Sequence, residues 1–477
     1  MAVAAPPRAR KQGSVSHPSL EERARNGKIA RAKVPRSTLA LFEPGLSRPD
    51  PVALLEEQAG SRVPELVPIR YGRMLLSPFA FFRGAALGMA ADLAATPTSG
   101  LTVQACGDAH LSNFGVFGSP DRTLVFDVND FDETLPGPWE WDVKRLASSL
   151  AIAGRERGFT NKERAIVVTA AAEGYRTEMA ALAGLGDLAV WYRRGDVTQL
   201  LADFRSVAKA ADRKRTKAAV AKARTRDSMQ AYSKLTHIVD GEPRIISDPP
   251  LIVPIEELVP GLEGEDFLEW AGTALRTYRR TLQDDRRHLL EQFRFVHLAR
   301  KVVGVGSVGT RAWIALLLGR DDNDPLFLQI KEAQASVLER FTAKGRFDNQ
   351  GERVVAGQRV MQAASDIFLG WERLEGLDGE TRDFYIRQLR DWKGSVDMDQ
   401  ATPTSLRNYA RVCGWTLARA HARSGDRIAI AAYLGKSTAF DQAVAAFAEL
   451  YADQNEKDYA SLQKTAADGR ITVESGL

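Results

Sequence analysis

The chain has 477 residues, 44% hydrophobic and 26% charged, with a formal net charge of +4. That length can bury a large core divided between more than one lobe, and so small a charge argues against nucleic acid as a partner. Two cysteines, Cys106 and Cys413, exclude a disulfide scaffold; no apolar run spans a bilayer, and the basic, proline-bearing start lacks an apolar signal region, so a cytoplasmic protein without membrane partners is expected.

Residues 1–45 are rich in Arg, Lys, Pro and Ala without sustained periodicity, and read as a disordered basic arm. Asp50 caps a short helix over 51–58. The block Arg70-Tyr71-Gly72-Arg73-Met74 through Phe81-Phe82-Arg83-Gly84 opens a helix running to about Ala95. Its three arginines beside aromatics suit either phosphate or carboxylate binding or packing with snorkelling head groups.

Next comes Gly107-Asp108-Ala109-His110-Leu111-Ser112-Asn113, then a turn, then an apolar strand Leu124-Val125-Phe126-Asp127-Val128 leading into Asn129-Asp130-Phe131-Asp132-Glu133. Phosphoryl transfer from ATP needs such a set: one carboxylate takes the proton of the attacking hydroxyl, while an amide oxygen and a second carboxylate hold Mg²⁺ on the phosphates. Asp108 is the candidate base. Asn113 with Asp130 or Asp127 offers the hard oxygen ligands that Mg²⁺ prefers. Asp132 and Glu133 either tune that site or cap the segment that follows.

From Trp141 to Gln292 the pattern is mostly helical, including a basic stretch, 207–226, best read as a solvated face. The acceptor pocket is expected among these helices. The pattern then changes. Residues 296–303 form an apolar strand that ends in Gly304-Val305-Gly306-Ser307-Val308-Gly309; 311–318 is a second strand, and 326–331 a third that ends in Lys331. Glycines let backbone approach phosphates, and a strand lysine pairs with the α- and β-phosphates. No helix opens after the glycines, so a dinucleotide-binding turn does not fit. Gly304, Gly306, Ser307, Gly309 and Lys331 are therefore the nucleotide candidates. A following helix, 351–362, nominates Glu352 as the lysine's partner, with Glu339 second. Strands are expected at 367–371 and 383–389, and an amphipathic helix at 408–422 ends Leu417-Ala418-Arg419-Ala420-His421-Ala422.

The Gly-Asp-x-His-x-x-Asn loop and the carboxylate-tipped strand resemble the aminoglycoside phosphotransferase and choline kinase branch of the protein-kinase-like superfamily. That resemblance implies ATP and Mg²⁺ as cofactors and an unidentified small-molecule or protein acceptor. It also implies that Asp142 braces the catalytic loop and that His110 is structural. Counting forward from Asn113 favours Asp127 as the metal ligand, whereas anchoring on Asp142 favours Asp130. The downstream anchor takes precedence, because loop length between strands varies freely. In that branch a Leu-Ala-x-x-His helix precedes the catalytic loop and the glycine loop comes first. Here the order is inverted, which implies a circular permutation.

Over nearly all its folded length the chain also resembles the bacterial domain-of-unknown-function 2252 family. Its shared features include Gly-Asp-Ala-His at 107–110, Asn-Asp-Phe-Asp-Glu at 129–133 and Ala-Arg-Ala-His-Ala-Arg at 418–423. The expected fold is α+β, a permuted kinase-like two-lobe arrangement. Residues 46–295 form a helical lobe with the catalytic and metal loops, 296–395 a small antiparallel β lobe, and 396–477 helices returning to the helical lobe. The expected function is ATP-dependent phosphotransfer. The alternatives are a nucleotide-binding regulator and an AMP-transferring enzyme. A dinuclear metallophosphatase lacks its downstream motifs, and the six histidines show no i, i+4 pair for zinc.

Overall fold

The computed structural model describes residues 17–203, 210–259, 265–376, 378–389, 391–395 and 397–476. Apolar runs at 312–318 and 325–332 are buried along most of their length, as strands covered on both faces must be, while 294–301 is buried only over Leu298 and its neighbours His297 and Ala299. They lie in a six-stranded antiparallel sheet. Numbered in chain order, its strands are β7 (Ile252–Pro254), β8 (Arg294–Lys301), β9 (Ala312–Leu318), β10 (Pro325–Glu332), β11 (Gly370–Glu375) and β12 (Thr381–Gln388), in the spatial order β11-β12-β10-β9-β8-β7. Three two-stranded ribbons complete the strands: β1 (Thr102–Ala105) with β4 (Leu135–Pro138), β2 (Phe114–Gly118) with β3 (Leu124–Val128), and β5 (Thr236–Val239) with β6 (Glu242–Ile245).

Alternation sends neighbouring residues of each strand to opposite faces. Leu298, Ala315, Leu317, Leu328 and Ile386 pack with Phe267, Tyr278 and Leu290 of the helices Glu265–Arg279 and Asp284–Leu290 on the rear face. On the front face, Ile314, Leu316 and Phe327 pack with Ala231, Leu235 and Ile245. Farther along it, the Gln350–Met361 helix rests on β11 and β12, and its Val354, Val355 and Met361 join Tyr385 in the main core. Lys331 and Tyr385, paired in register, look from this front face towards the helical body.

That body is built on the helices Trp139–Glu156, Asn161–Ala183, Pro403–Ser424 and Ala439–Ala467. Thr160 with Glu163 and Thr402 with Ser405 form capping boxes at two of their starts. Trp139 stacks on Tyr175 at 5.4 Å between centroids. Gly414 allows the second and third helices to touch through backbone, since a Cβ there would lie 2.0 Å from the Ala171 carbonyl oxygen. The Pro403–Ser424 helix ends beside the start of β1, where the Gln104 N–H donates to Ser424 Oγ at 3.0 Å.

Several expectations change. The arm is ordered from Leu20 to Lys33 as a helix with a Ser19–Glu22 capping box, its Gly27 and Ala30 buried against the helix Arg427–Leu434. Residues 1–16 lie outside the described residues. The helix expected to run to Ala95 breaks at Ala85 into Pro78–Gly84 and Ala86–Ala94. The helical stretch before Phe293 contains the β5–β6 ribbon and β7, so the β lobe starts earlier than 296 and recruits the 265–290 helices as its rear cover. The basic helix is described over Ala210–Arg224; residues 204–209 lie outside the described residues. Among the described residues no helix is long and apolar enough to cross a membrane.

Candidate functional site

β1 delivers the chain into the Cys106–Asn113 loop. Asp142, in the first turn of the Trp139–Glu156 helix, accepts the backbone N–H groups of Cys106 at 2.6 Å and Gly107 at 2.9 Å. Behind it, His421 Nε2 lies 3.0 Å from Asp142 Oδ2, and the Tyr175 hydroxyl lies 2.9 Å from His421 Nδ1. All three residues are buried. The loop is thus fixed through its backbone by a buried polar chain, the kind that rigidifies when fully satisfied. Cys106 is a small buried group whose thiol donates to the Asp130 carbonyl at 3.3 Å.

Asp108 faces the cleft between the lobes. Arg145 Nε and Nη2 converge on its Oδ1 at 2.8 and 2.7 Å, leaving Oδ2 towards His110 Nε2 at 3.8 Å. His110 is buried and accepts the Ser112 N–H on Nδ1. Burial, followed by the Arg145 and Arg83 charges, holds its pKa well below the usual range, so the ring is neutral with its proton on Nε2. Asn113 Nδ2 donates to the Asp108 carbonyl at 2.7 Å, and the Asn113 carbonyl accepts the Asn129 N–H at 2.8 Å. Loop and carboxylate segment are therefore stitched together.

Beyond β3 the carboxylates separate. Asp127 is buried against the Pro403–Ser424 helix, with Oδ2 3.2 Å from Arg419, and is not brought to the cleft. Asp130 and Asp132 are. Lys331, buried on β10, puts Nζ 2.6 Å from Asp132 Oδ2 and 3.8 Å from Asp130 Oδ1, and Tyr385 donates its hydroxyl to Asp132 Oδ1 at 2.5 Å. Burial opposes the Lys331 charge, but Asp130 and Asp132 outweigh it and raise its pKa. Against the same burial, Lys331 and Tyr385 pull Asp132 below the usual carboxylate range. Asp130 goes the other way, raised by burial and by the neighbouring Asp132, and its buried Oδ1 has no hydrogen-bond partner. Glu133, pushed up to about 7 by burial, caps the next segment by accepting the Val337 N–H at 2.7 Å.

The glycine loop joins β8 to β9, with φ of +64° at Gly304 and +89° at Gly309. Arg73 Nη1 donates to the Gly304 carbonyl at 2.7 Å, the Val63 N–H to the Gly309 carbonyl at 2.8 Å, and Arg62 to the Val308 carbonyl. Gly306 abuts the Arg83 backbone, and Ser307 Oγ lies 3.4 Å from Asp132 Oδ2. The three arginines of the aromatic block have separate fates. Arg70 is buried and donates to the Gly84 carbonyl, Arg73 pins the glycine loop, and Arg83 turns towards Asp108 and Asp130 with Nε unpartnered.

Glu352 does not pair with Lys331: it is the third residue of a helix whose inward side is presented by its neighbour. That neighbour, Arg353, donates to the carbonyls of Asp132, Thr134 and Gln334 and so holds the Asp132 segment against the β lobe. Glu339 accepts the Gly345 N–H and does not reach the lysine. Arg145, Arg353, Tyr385 and Arg387, which donates to the Asn129 carbonyl at 3.0 Å, were not singled out in the sequence. Arg145 had a signal: three residues after Asp142 on one helix, it shares that residue's face. Tyr385 had none, because its place depends on strand register.

No cluster of three His, Cys, Asp or Glu side chains among the described residues holds a metal unaided. No curated protein and no solved structure matches this chain. A family model does, across residues 62–465 and therefore across the β lobe, the Asp108 loop and most of the helical body: the chain belongs to the family described as an uncharacterized protein conserved in bacteria, DUF2252.

Proposed function

We propose that the protein is an ATP- and Mg²⁺-dependent phosphotransferase acting on a hydroxyl group, built as a circularly permuted kinase-like fold. One observation carries the reading: a strand lysine of the β lobe, Lys331, meets Asp130 and Asp132 of the other lobe within 3.8 Å, beside the Asp108–Asn113 loop. Order of elements supports it further. A glycine hairpin, a lysine strand, a helix and two more strands follow one another, and the Pro403–Ser424 helix ends where β1 begins, as an unpermuted chain would require.

The residues fit a divalent cation. Asp130 offers a buried carboxylate oxygen without a hydrogen bond among the described residues, and Asn113 anchors itself through Nδ2, which keeps its amide oxygen as a ligand. Asp130 and Asn113 would hold Mg²⁺ together with the nucleotide, since two protein ligands alone would leave its shell incomplete. Mg²⁺ supplies neutralisation of charge on the transferring group. Lys331 and the glycine loop hold the phosphates, and Arg83 adds a cation between Asp108 and Asp130. The acceptor oxygen forms a bond to the γ-phosphorus, the bond to the bridging oxygen of ADP breaks, and Asp108 Oδ2 takes the hydroxyl proton. Arg145, bound to Oδ1, fixes the orientation of that carboxylate.

Thermal-shift titration with ATP, GTP and ADP, each with Mg²⁺ or Mn²⁺, followed by mass analysis of self-modification, tests the proposal. Stabilisation by ATP with metal and a gain of one phosphoryl group support it. A gain of AMP assigns nucleotide transfer, and stabilisation without any transfer assigns a binding role.

A further inference from the structure

The rear face of the six-stranded sheet is turned away from the Asp108 loop. Leu328 and Ile330 of β10 point to it, as do Glu372 of β11 and Phe384 and Ile386 of β12, while Lys331 and Tyr385 point to the front. The Glu265–Arg279 helix crosses this face without filling the space beneath it. A cavity of about 330 Å³ remains, large enough for a small organic molecule. Trp270, Tyr278, Phe295 and Trp313 wall it.

One polar group disturbs this apolar space. Glu372 lines the cavity, is 4% exposed, and its Oε2 accepts no hydrogen bond. On the rim, Arg300 pairs with Glu65 at 2.7 Å, Arg382 with Asp378 at 2.6 Å and Arg311 with Glu332 at 3.4 Å, and Glu375 stands exposed to solvent. An unpartnered buried carboxyl is costly and is retained where something meets it. None of the described residues does. Aromatic faces attract cations through their ring quadrupoles, so a carboxyl among four aromatic walls selects a positively charged group with an apolar body.

We propose that this cavity binds an apolar amine, whose ammonium group donates to Glu372 Oε2 while its hydrocarbon body fills the space between the Glu265–Arg279 helix and the sheet. A neutral alcohol of the same shape offers a single donor and no charge, and an apolar carboxylate brings no cation to pair with Glu372 or to sit against the aromatic walls. The site is independent of the cleft and stands whether or not the chain transfers phosphate.

The test is calorimetric titration of the full chain with 1-naphthylmethylamine and, separately, with 1-naphthalenemethanol as the neutral counterpart, while quenching of tryptophan fluorescence reports on Trp270 and Trp313. The amine should bind at least about tenfold more tightly than the alcohol. Glu372→Gln should remove most of that preference while leaving the alcohol's affinity nearly unchanged. Ala274→Trp, at a half-buried position of the cavity wall, should abolish binding of both probes without altering the circular dichroism spectrum. The proposal is overturned if neither probe binds, if the alcohol binds as tightly as the amine, if Glu372→Gln keeps the preference, or if Ala274→Trp binds both probes as wild type does.

Discussion

Replacing Lys331 with methionine keeps the length of the side chain and removes its charge. Asp132 then loses its ion pair at 2.6 Å and stands beside Asp130, with Arg387 of β12 left to oppose the two charges without a direct ion pair. Removing one member of a buried pair commonly costs about 3–5 kcal/mol. The Asp132 side chain keeps 30% exposure against 4% for Lys331, so water compensates in part and the expected loss is about 3 kcal/mol. Asp132→Asn on the same background removes the stranded charge. The double variant should recover at least about 1 kcal/mol relative to the sum of the two single changes, the coupling expected of residues in direct contact. Urea unfolding of the four proteins, read at constant m-value, measures this cycle. If Lys331→Met loses less than about 1 kcal/mol, or the two changes add within about 0.5 kcal/mol, the ion pair across the cleft is not what holds the lobes in register.

Asp130→Asn should weaken Mg²⁺-dependent nucleotide binding, whereas Asp127→Asn should spare binding and lower stability by about 1–3 kcal/mol, because it strands Arg419 in the core; titration and melting of both variants would reveal a reversed ranking. Gly414→Ala should destabilise by about 1–3 kcal/mol or more, since its Cβ would meet the Ala171 carbonyl, and denaturant unfolding measures it. Glu372 is pushed up to about 8 by burial, so between its ordinary pKa and that value the folded state holds a proton that the unfolded state has lost. Its contribution is full at low pH and falls as pH rises, by about 2–3 kcal/mol from about pH 6 to 8. The stability difference between wild type and Glu372→Gln should therefore move in favour of the variant over that interval, and a difference that stays flat contradicts the burial of this carboxyl.

The positions of the Asp108 loop, Asn113, Asp142 and the lysine strand were legible because each joins an unusual residue set to a local pattern. The choice between Asp127 and Asp130 was not settled by local pattern. All five residues of β3 are buried, so alternation gives no hint of which face meets the cleft. Glu352 was one residue off on a helix where a single step turns the side chain by about 100°, and the inward position belongs to Arg353. The partner of Lys331 came instead from Asp132, a contact across the chain that only tertiary structure creates. The N-terminal helix hid because it docks through Gly27 and Ala30, small residues that leave no hydrophobic stripe. The β5–β6 ribbon did carry its signal, Asp240-Gly241 with φ of +50° and +83°, the turn chemistry of a tight hairpin.

The central claim is that the cleft holds Mg²⁺-ATP and that Asp108 serves the chemistry without holding the nucleotide. Titrating Mg²⁺-ATP into wild type, Asp108→Ala and Lys331→Ala by calorimetry, with a parallel assay for phosphate transfer, addresses it directly. Wild type should bind only with the metal present. Asp108→Ala should bind within about threefold of wild type while turnover is lost, and Lys331→Ala should lose both. Absence of binding by wild type at millimolar Mg²⁺-ATP, or full activity in Asp108→Ala, would contradict the account.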